Sequence, residues 1–329
     1  MTLRRYLVSC IGIVAANLAA VSTAQSVAFD PNITYRVELT ADSPVGEASI
    51  REHSVAWHPI KRKFYLIADV VPLSSPHHPN TYNTELHLWS SADLADWAYH
   101  GVAVHKGVPG KTHDGYGVAS PAGMAYHKGK LYVPYSGRRL ANFSQRGIGL
   151  AWSGADPEKL PWTKARKPIS DLPGEDDDPA VATIPGDERL HLYHRRTGPP
   201  GYRIAHTASD TPTDPDSWPK AVEVTPRPES VRAQELTGAV WADDAMHMFV
   251  IEHPYAGSMQ IAHLRSQKAA GPFTSPDASA RYMRNQPRGL AYSGHITPIV
   301  RDGQCVAYFW TAFQAGRRYG LLGHPAAKR

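Results

Sequence analysis

Cysteine is nearly absent: the 329 residues contain two, Cys10 and Cys305. Cys10 lies in a segment expected to be removed, and one remaining cysteine cannot form an internal disulfide, so packing alone must hold the fold. Cys305 sits in the apolar run Cys305-Val306-Ala307-Tyr308 and is expected to be an inert filler. Beyond the N-terminus no stretch has the pattern of a helix longer than a turn or two. A basic block is also missing. The formal net charge is only +5, and Arg138-Arg139, Arg195-Arg196, Arg281, Arg284 and Arg288 are scattered, which argues against a nucleic-acid partner. No zinc-ligand spacing, nucleotide-binding glycine loop or nucleophile elbow is present. His77-His78 has no third ligand at metal spacing, so it is read as loop surface and no metal site is assigned.

The N-terminus has the marks of a secretory signal. Arg4 and Arg5 precede a largely apolar stretch from Tyr6 to Val21, followed by the small residues Ser22-Thr23-Ala24. A transmembrane anchor is the other reading, but the stretch is short and contains Asn17. The expectation is a signal at 1–24, a single domain over 25–329, a secreted or periplasmic location, no membrane anchor, and a monomer.

What the chain does contain is a repeat. Hydrophobic residues at 42%, charged residues at 20% and 28 prolines suit a loop-rich β protein. Five times a polar residue (His53, Ser120, Asp178, Glu235, His295) opens a short apolar run. About twelve positions later an aromatic-rich run follows, with second residues at 65, 132, 191, 247 and 306, spaced 67, 59, 56 and 59 apart. A second series has the same period: Trp97, Trp162, Trp218 and Phe273 are spaced 65, 56 and 55 apart, each after a further strand-like run and a polar turn. Lys128-Gly129-Lys130, Pro185-Gly186-Asp187 and Arg301-Asp302-Gly303 read as hairpin turns before a second strand. Ile33 to Leu39 alternates and reads as an outer strand that closes a ring. The predicted fold is all-β, a five-bladed β-propeller with four-stranded antiparallel blades. The first strand of each blade then lines the axis, and the five openers meet there.

The motifs resemble a known group. Ser91-x-Asp93-Leu-x-x-Trp97, Ser120-Pro121 before Gly129-Lys-Leu-Tyr132, Ile148-Gly-Leu-Ala151, Asp177-Asp178-Pro179 and Gly294-His295 look like the five-bladed propeller glycoside hydrolases. Family 43 is similar by overall pattern, and family 117 through His113-Asp114-Gly115-Tyr116-Gly117-Val118 and the paired aspartates. The resemblance implies Glu235 as general acid, Asp178 as the group that tunes the acid's pKa, and His295 at the centre near a water cluster or a structural calcium. No cofactor is otherwise required. One position departs. The family opens its first blade with an aspartate base, whereas here His53 stands between Glu52 and Ser54. Three readings stay open: Glu52 or His53 acts as base, a rim carboxylate such as Asp114 or Asp69 takes over, or no base is placed and the site only binds. Ser120, Trp57, Tyr116 and Arg195 complete the expected substrate contacts, with Trp241 and Tyr292 as further stacking surfaces. The two functions in play are a hydrolase acting on a poly- or oligosaccharide and a non-catalytic carbohydrate-binding propeller.

Overall fold

The computed structural model describes residues 35–37, 48–72, 84–140, 145–170, 176–196, 202–225, 230–255, 260–275, 281–282, 291–314 and 318–325. The expected signal at 1–24 and His77-His78 lie outside them. Strand β1 (Tyr35–Val37) precedes β2 (Ala48–His58), β3 (Lys63–Pro72), β4 (Leu86–Ser91) and β5 (Ala98–Val104), which make the first sheet. The second holds β6 (Val118–Ala119), β7 (Ala125–His127), β8 (Lys130–Arg138), β9 (Arg146–Trp152) and β10 (Thr163–Lys164). The third is β11 (Asp177–Ala182), β12 (Leu190–Arg196), β13 (Arg203–Ser209) and β14 (Val222–Glu223). The fourth is β15 (Val231–Ala242), β16 (Ala245–Pro254), β17 (Gln260–Ser266) and β18 (Arg281–Tyr282). The last contains β19 (Ala291–Arg301), β20 (Gln304–Gln314) and β21 (Arg318–Pro325), completed by β1, whose Tyr35 pairs with Gly323. The chain therefore closes on itself within the expected closing segment.

The described strands make five antiparallel sheets in a β-propeller arrangement. Four have the expected four strands. The second departs, because its inner run breaks after Ala119 and resumes at Ala125, so β6 and β7 pair separately with β8.

Second strands show why the repeat folds as a ring. Alternation usually sends one face to solvent, yet Leu190 through Arg195 of β12 are all buried. Each face has its own neighbour. Leu190 and Leu192 pack with Tyr132, Ile148 and Leu150 of the second sheet, while Tyr193 packs with Met246 and Met248 of the fourth. In β3, Tyr65 and Ile67 face the second sheet, and Phe64 and Leu66 face Ile299 and Phe309 of the last. Phe249 meets Tyr308 edge-on at 5.8 Å between the fourth and last sheets.

Hairpins between first and second strands use left-handed backbone. Lys128-Gly129 and Asp302-Gly303, both expected turns, have positive φ at both residues, as a tight hairpin requires. Cys305 is half-buried, and burial lifts its thiol pKa to about 11, consistent with an unreactive filler.

Candidate functional site

The opener ends of the inner strands are irregular. In β2 the pairing jumps from Ile50↔Val70 to His53↔Ala68, so Arg51 and Glu52 oppose Asp69 alone. In β11 it jumps from Asp177↔Arg195 to Ala180↔Tyr193, so Asp178 and Pro179 oppose His194 alone. In β19 it jumps from Tyr292↔Ala312 to Ile296↔Trp310, leaving Ser293 to His295 opposite Thr311. Bulges re-aim side chains, and the three bulged strands aim at one point. A ligand atom from each of Glu52, Asp178 and His295 lies within 4.8 Å of the other two, and all three residues are buried. Asp178 adopts a left-handed φ of 49°, and Ser120, at the matching place in the second sheet, has φ 56°.

Of the first-sheet pair, Glu52 enters this cluster. Its backbone N–H donates to Asp69 Oδ1 at 2.6 Å, so Asp69 braces the bulge. His53 is fully buried with its ring 6.2 Å from that of His295. Burial and then the His295 charge push its pKa down to about 3, so its imidazole is neutral at ordinary pH. The β2 carbonyl at His53 accepts from Thr297 Oγ1 at 2.9 Å, which ties the last sheet to the first.

Arg195 links the cluster to Glu235. Its Nε lies 3.2 Å from Asp178 Oδ2, its Nη1 2.5 Å from Glu235 Oε1 and its Nη2 2.5 Å from Asp177 Oδ2. Tyr202 stacks beneath the guanidinium, 4.4 Å from Cζ to the ring centroid. Asp177 also accepts from Ser136 and Arg146 and faces Arg138 Nη2 at 3.6 Å. Asp176 accepts from Ser170 Oγ at 2.6 Å and faces His194 Nδ1 at 3.7 Å. The acidic run is thus an internal charge cluster and not a solvated turn.

These contacts split the carboxyls. Burial opposes ionisation of Asp177, but Arg138, Arg146 and Arg195 outweigh it and hold the group far below the carboxylate range. Asp178 goes the other way. Burial is the largest cause, Arg195 opposes it, and the charges of Asp177, Glu235 and Glu52 add to it, so Asp178 holds its proton well above the usual range. Glu235 is lowered, because the His253 contact and Arg195 outweigh its burial. His253 Nε2 stands 3.4 Å from Glu235 Oε2. The Glu235 side chain is 27% exposed against 9% for Asp178, so Glu235 presents the more accessible oxygen.

Other expected residues are not part of the Glu52, Asp178 and His295 cluster. Asp114 accepts from Lys164 Nζ at 2.6 Å and Tyr135 Oη at 3.1 Å, an ion pair within the second sheet. Tyr116 is half-buried, and its backbone N–H donates to the Arg138 carbonyl. Trp57 and Trp241 lie four and six residues past their openers, toward the far ends of β2 and β15. Tyr292 lies in β19, among side chains outside the description. Asp177, Arg138, Arg146 and His253 stand around the site without having been expected as site residues. The one usable signal for them is stoichiometric: three consecutive aspartates that enter a buried strand require buried cations.

Glu52, Asp178 and His295 have the spacing to surround a cation, but two carboxylates and an imidazole fall short of the six to eight oxygens calcium takes. The donor set by itself suits calcium poorly.

No protein-family model and no curated protein matches the sequence. Solved structures do. A family 117 glycoside hydrolase of the marine bacterium Zobellia galactanivorans superposes with TM-score 0.65 at 13% identity, covering 89% of each chain. The fold is that of the propeller glycoside hydrolases. A thermostable family-43 glycoside hydrolase gives TM-score 0.62 at 17% identity over 87% of this chain and 93% of that one. A family-43 endo-arabinanase of Bacillus licheniformis gives 0.62 at 16% over 88% and 96%. At such identity the likeness is one of fold.

Proposed function

We propose that the protein is a glycoside hydrolase acting on a poly- or oligosaccharide, with its five sheets as five propeller blades and its site at the opener end of the axis. The observation that carries the reading is the convergence of three bulged strands on Glu52, Asp178 and His295, tied through Arg195 to Glu235. A glycosidic oxygen leaves poorly until it is protonated. Asp178 and Glu235 flank one guanidinium and titrate as a pair. Burial raises Asp178 while His253 and Arg195 lower Glu235, so the proton of the pair favours Asp178 in the ligand-free protein. We assign delivery to Glu235, whose side chain is the more exposed, and storage and tuning to Asp178. Glu52 is the base. Inversion needs acid and base carboxyls about 6.5–9.5 Å apart, whereas retention needs about 5–5.5 Å. Glu52 and Asp178 approach within 4.8 Å, closer than either separation, so we pair Glu52 with Glu235 instead. Arg195 orients the pair, and His295 with Ser120 borders the sugar. No step runs through a metal.

One observation favours the binding-only alternative: Arg195 and His253 hold Glu235 ionised. A leaving-group series decides between the readings. Glu235→Gln should lose about 10²–10⁴-fold on glycosides with poor leaving groups and far less on dinitrophenyl glycosides, which need no protonation. Glu52→Gln should lose rate on both. Rescue of Asp178→Asn in place of Glu235→Gln would move delivery to Asp178. A folded wild type with no turnover on a broad panel would leave the binding reading.

A further inference from the structure

The inner strands continue past the site. Five residues beyond each opener-end residue (Glu52, Ser120, Asp178, Glu235, His295) stand Trp57, Ala125, Thr183, Val240 and Val300. These five line one cavity of about 240 Å³. At about 3.3 Å per residue the cavity lies roughly 15 Å from the carboxyl cluster, at the other mouth of the axis and among the first hairpins.

The lining has a definite chemistry. Trp57, Tyr126 and Trp241 contribute three half-buried rings from three different sheets. Two are braced from outside the cavity. Trp57 packs on Phe64 at 4.7 Å, with the Arg301 guanidinium 5.9 Å from its ring, and Tyr126 packs on His58 at 4.7 Å. Among the described residues of the lining Asp302 is the one charged side chain, and Thr183 offers a hydroxyl. The Trp57 ring is held in place by its packing on Phe64 and presents a fixed apolar wall to the cavity. The volume exceeds the roughly 150 Å³ that admits benzene and falls below the roughly 300–1,000 Å³ of drug-sized sites. That is room for one six-membered ring. Aromatic walls offer flat faces to the C–H face of a sugar, while the few polar groups suit hydroxyls and not a charged ligand.

We propose that this far-end cavity is a second, non-catalytic carbohydrate site that takes a single neutral sugar ring, so that the protein grips a glycan with one mouth of its axis while the other carries the chemistry. The aromatic cage stands by itself, but the choice of sugar as occupant rests on the function proposed above.

The test labels the full chain with 5-fluorotryptophan and assigns Trp57 and Trp241 by Trp57→Phe and Trp241→Phe. Arabinose, xylose, galactose and glucose are titrated singly to about 50 mM, a range suited to millimolar ligands, and fluorine shifts are read. At least one sugar should move the Trp57 and Trp241 resonances together. Thr183→Trp, which fills the cavity, should abolish the shifts while kcat/KM on a small aryl glycoside stays within about twofold. Glu235→Gln should leave the shifts intact. Unmoved resonances with all four sugars, or shifts that survive Thr183→Trp, overturn the proposal. Shifts without turnover on any glycoside would retain this site and remove the proposed activity; turnover without shifts would do the reverse.

Discussion

Asp177→Asn is the most informative single change, because it removes one charge and almost no volume. The Asp177 side chain is 4% exposed, and its counter-charges are buried too: Arg138 at 0%, Arg195 at 6% and Arg146 at 13%. The neutral amide can still accept from Ser136 and one guanidinium, so packing survives. Three guanidiniums then face Glu235 and a protonated Asp178. Breaking one side of a buried pair costs about 3–5 kcal/mol. Part returns, because an Arg195 freed from Asp177 favours ionised Asp178, which places the expected loss near 3 kcal/mol. At about 2–4 °C per kcal/mol, Tm should fall by roughly 6–12 °C, read by near-UV circular dichroism with a matching drop in the urea midpoint. Adding Arg146→Gln should recover about 1 kcal/mol, since contacting residues couple. A Tm within about 2 °C of wild type would refute the idea that Asp177 neutralises this cluster.

Two further outcomes follow from burial. His53, His206 and His263 are each pushed down to about 3, by burial first and then by neighbouring imidazoles. They are neutral in the fold and protonate near 6.5 when unfolded, so their stabilisation is full above that pH and is lost as pH falls toward 3. Between pH 7 and 5 the three together lose roughly 6 kcal/mol. Asp178, whose pKa burial raises, works in the opposite direction. The urea midpoint should therefore be lower at pH 5 than at pH 7, with His87, pushed down to about 4, adding to the loss, and a flat profile would contradict the buried neutral histidines. Gly149→Ala should cost about 1–3 kcal/mol, because a Cβ there would stand 2.2 Å from Tyr135 Cζ, a ring packed in the core between the first two sheets. Thermal unfolding checks it, and an unchanged Tm would mean that this ring moves freely.

The period was legible because every blade must bury both faces. That requirement repeats the same aromatic and branched residues at the same phase, as in Leu190-His191-Leu192-Tyr193 and Met246-His247-Met248-Phe249. The closing strand was legible by alternation alone. The site was legible only to within a residue or so. A bulge has no side-chain signature, so spacing pointed to His53 where the extra residue in β2 delivers Glu52. Trp57 and Trp241 were read as stacking surfaces because they lie in or beside the inner strands. A strand, though, covers roughly 15 Å in five residues, and the rings belong to the other mouth. The Asp114 partner Lys164 stands fifty residues away, and no local pattern announces it. The arginines around Asp177 come from three strands of two sheets, which spacing within one repeat cannot bring together.

The bulges must be held open, and Asp178 makes that testable. An L-residue with a left-handed φ of 49° carries a backbone penalty of about 1–2 kcal/mol that glycine avoids. At an ordinary strand position glycine is less stable than alanine by roughly 0.5–1 kcal/mol. Comparing Asp178→Gly with Asp178→Ala cancels the lost carboxyl, since both remove it, and leaves the backbone difference. If Arg195 and the neighbouring sheets hold the β11 bulge in place, the glycine variant should be more stable by about 1 kcal/mol, a reversal of the usual order. The same sign is expected for Ser120→Gly against Ser120→Ala, because Ser120 has φ 56° at the matching place. Were alanine the more stable at both positions, these residues would sit in ordinary extended backbone. The register shift in β11 would then have no strain to hold, and Asp178 would turn with the regular alternation of its strand, away from Glu52 and His295.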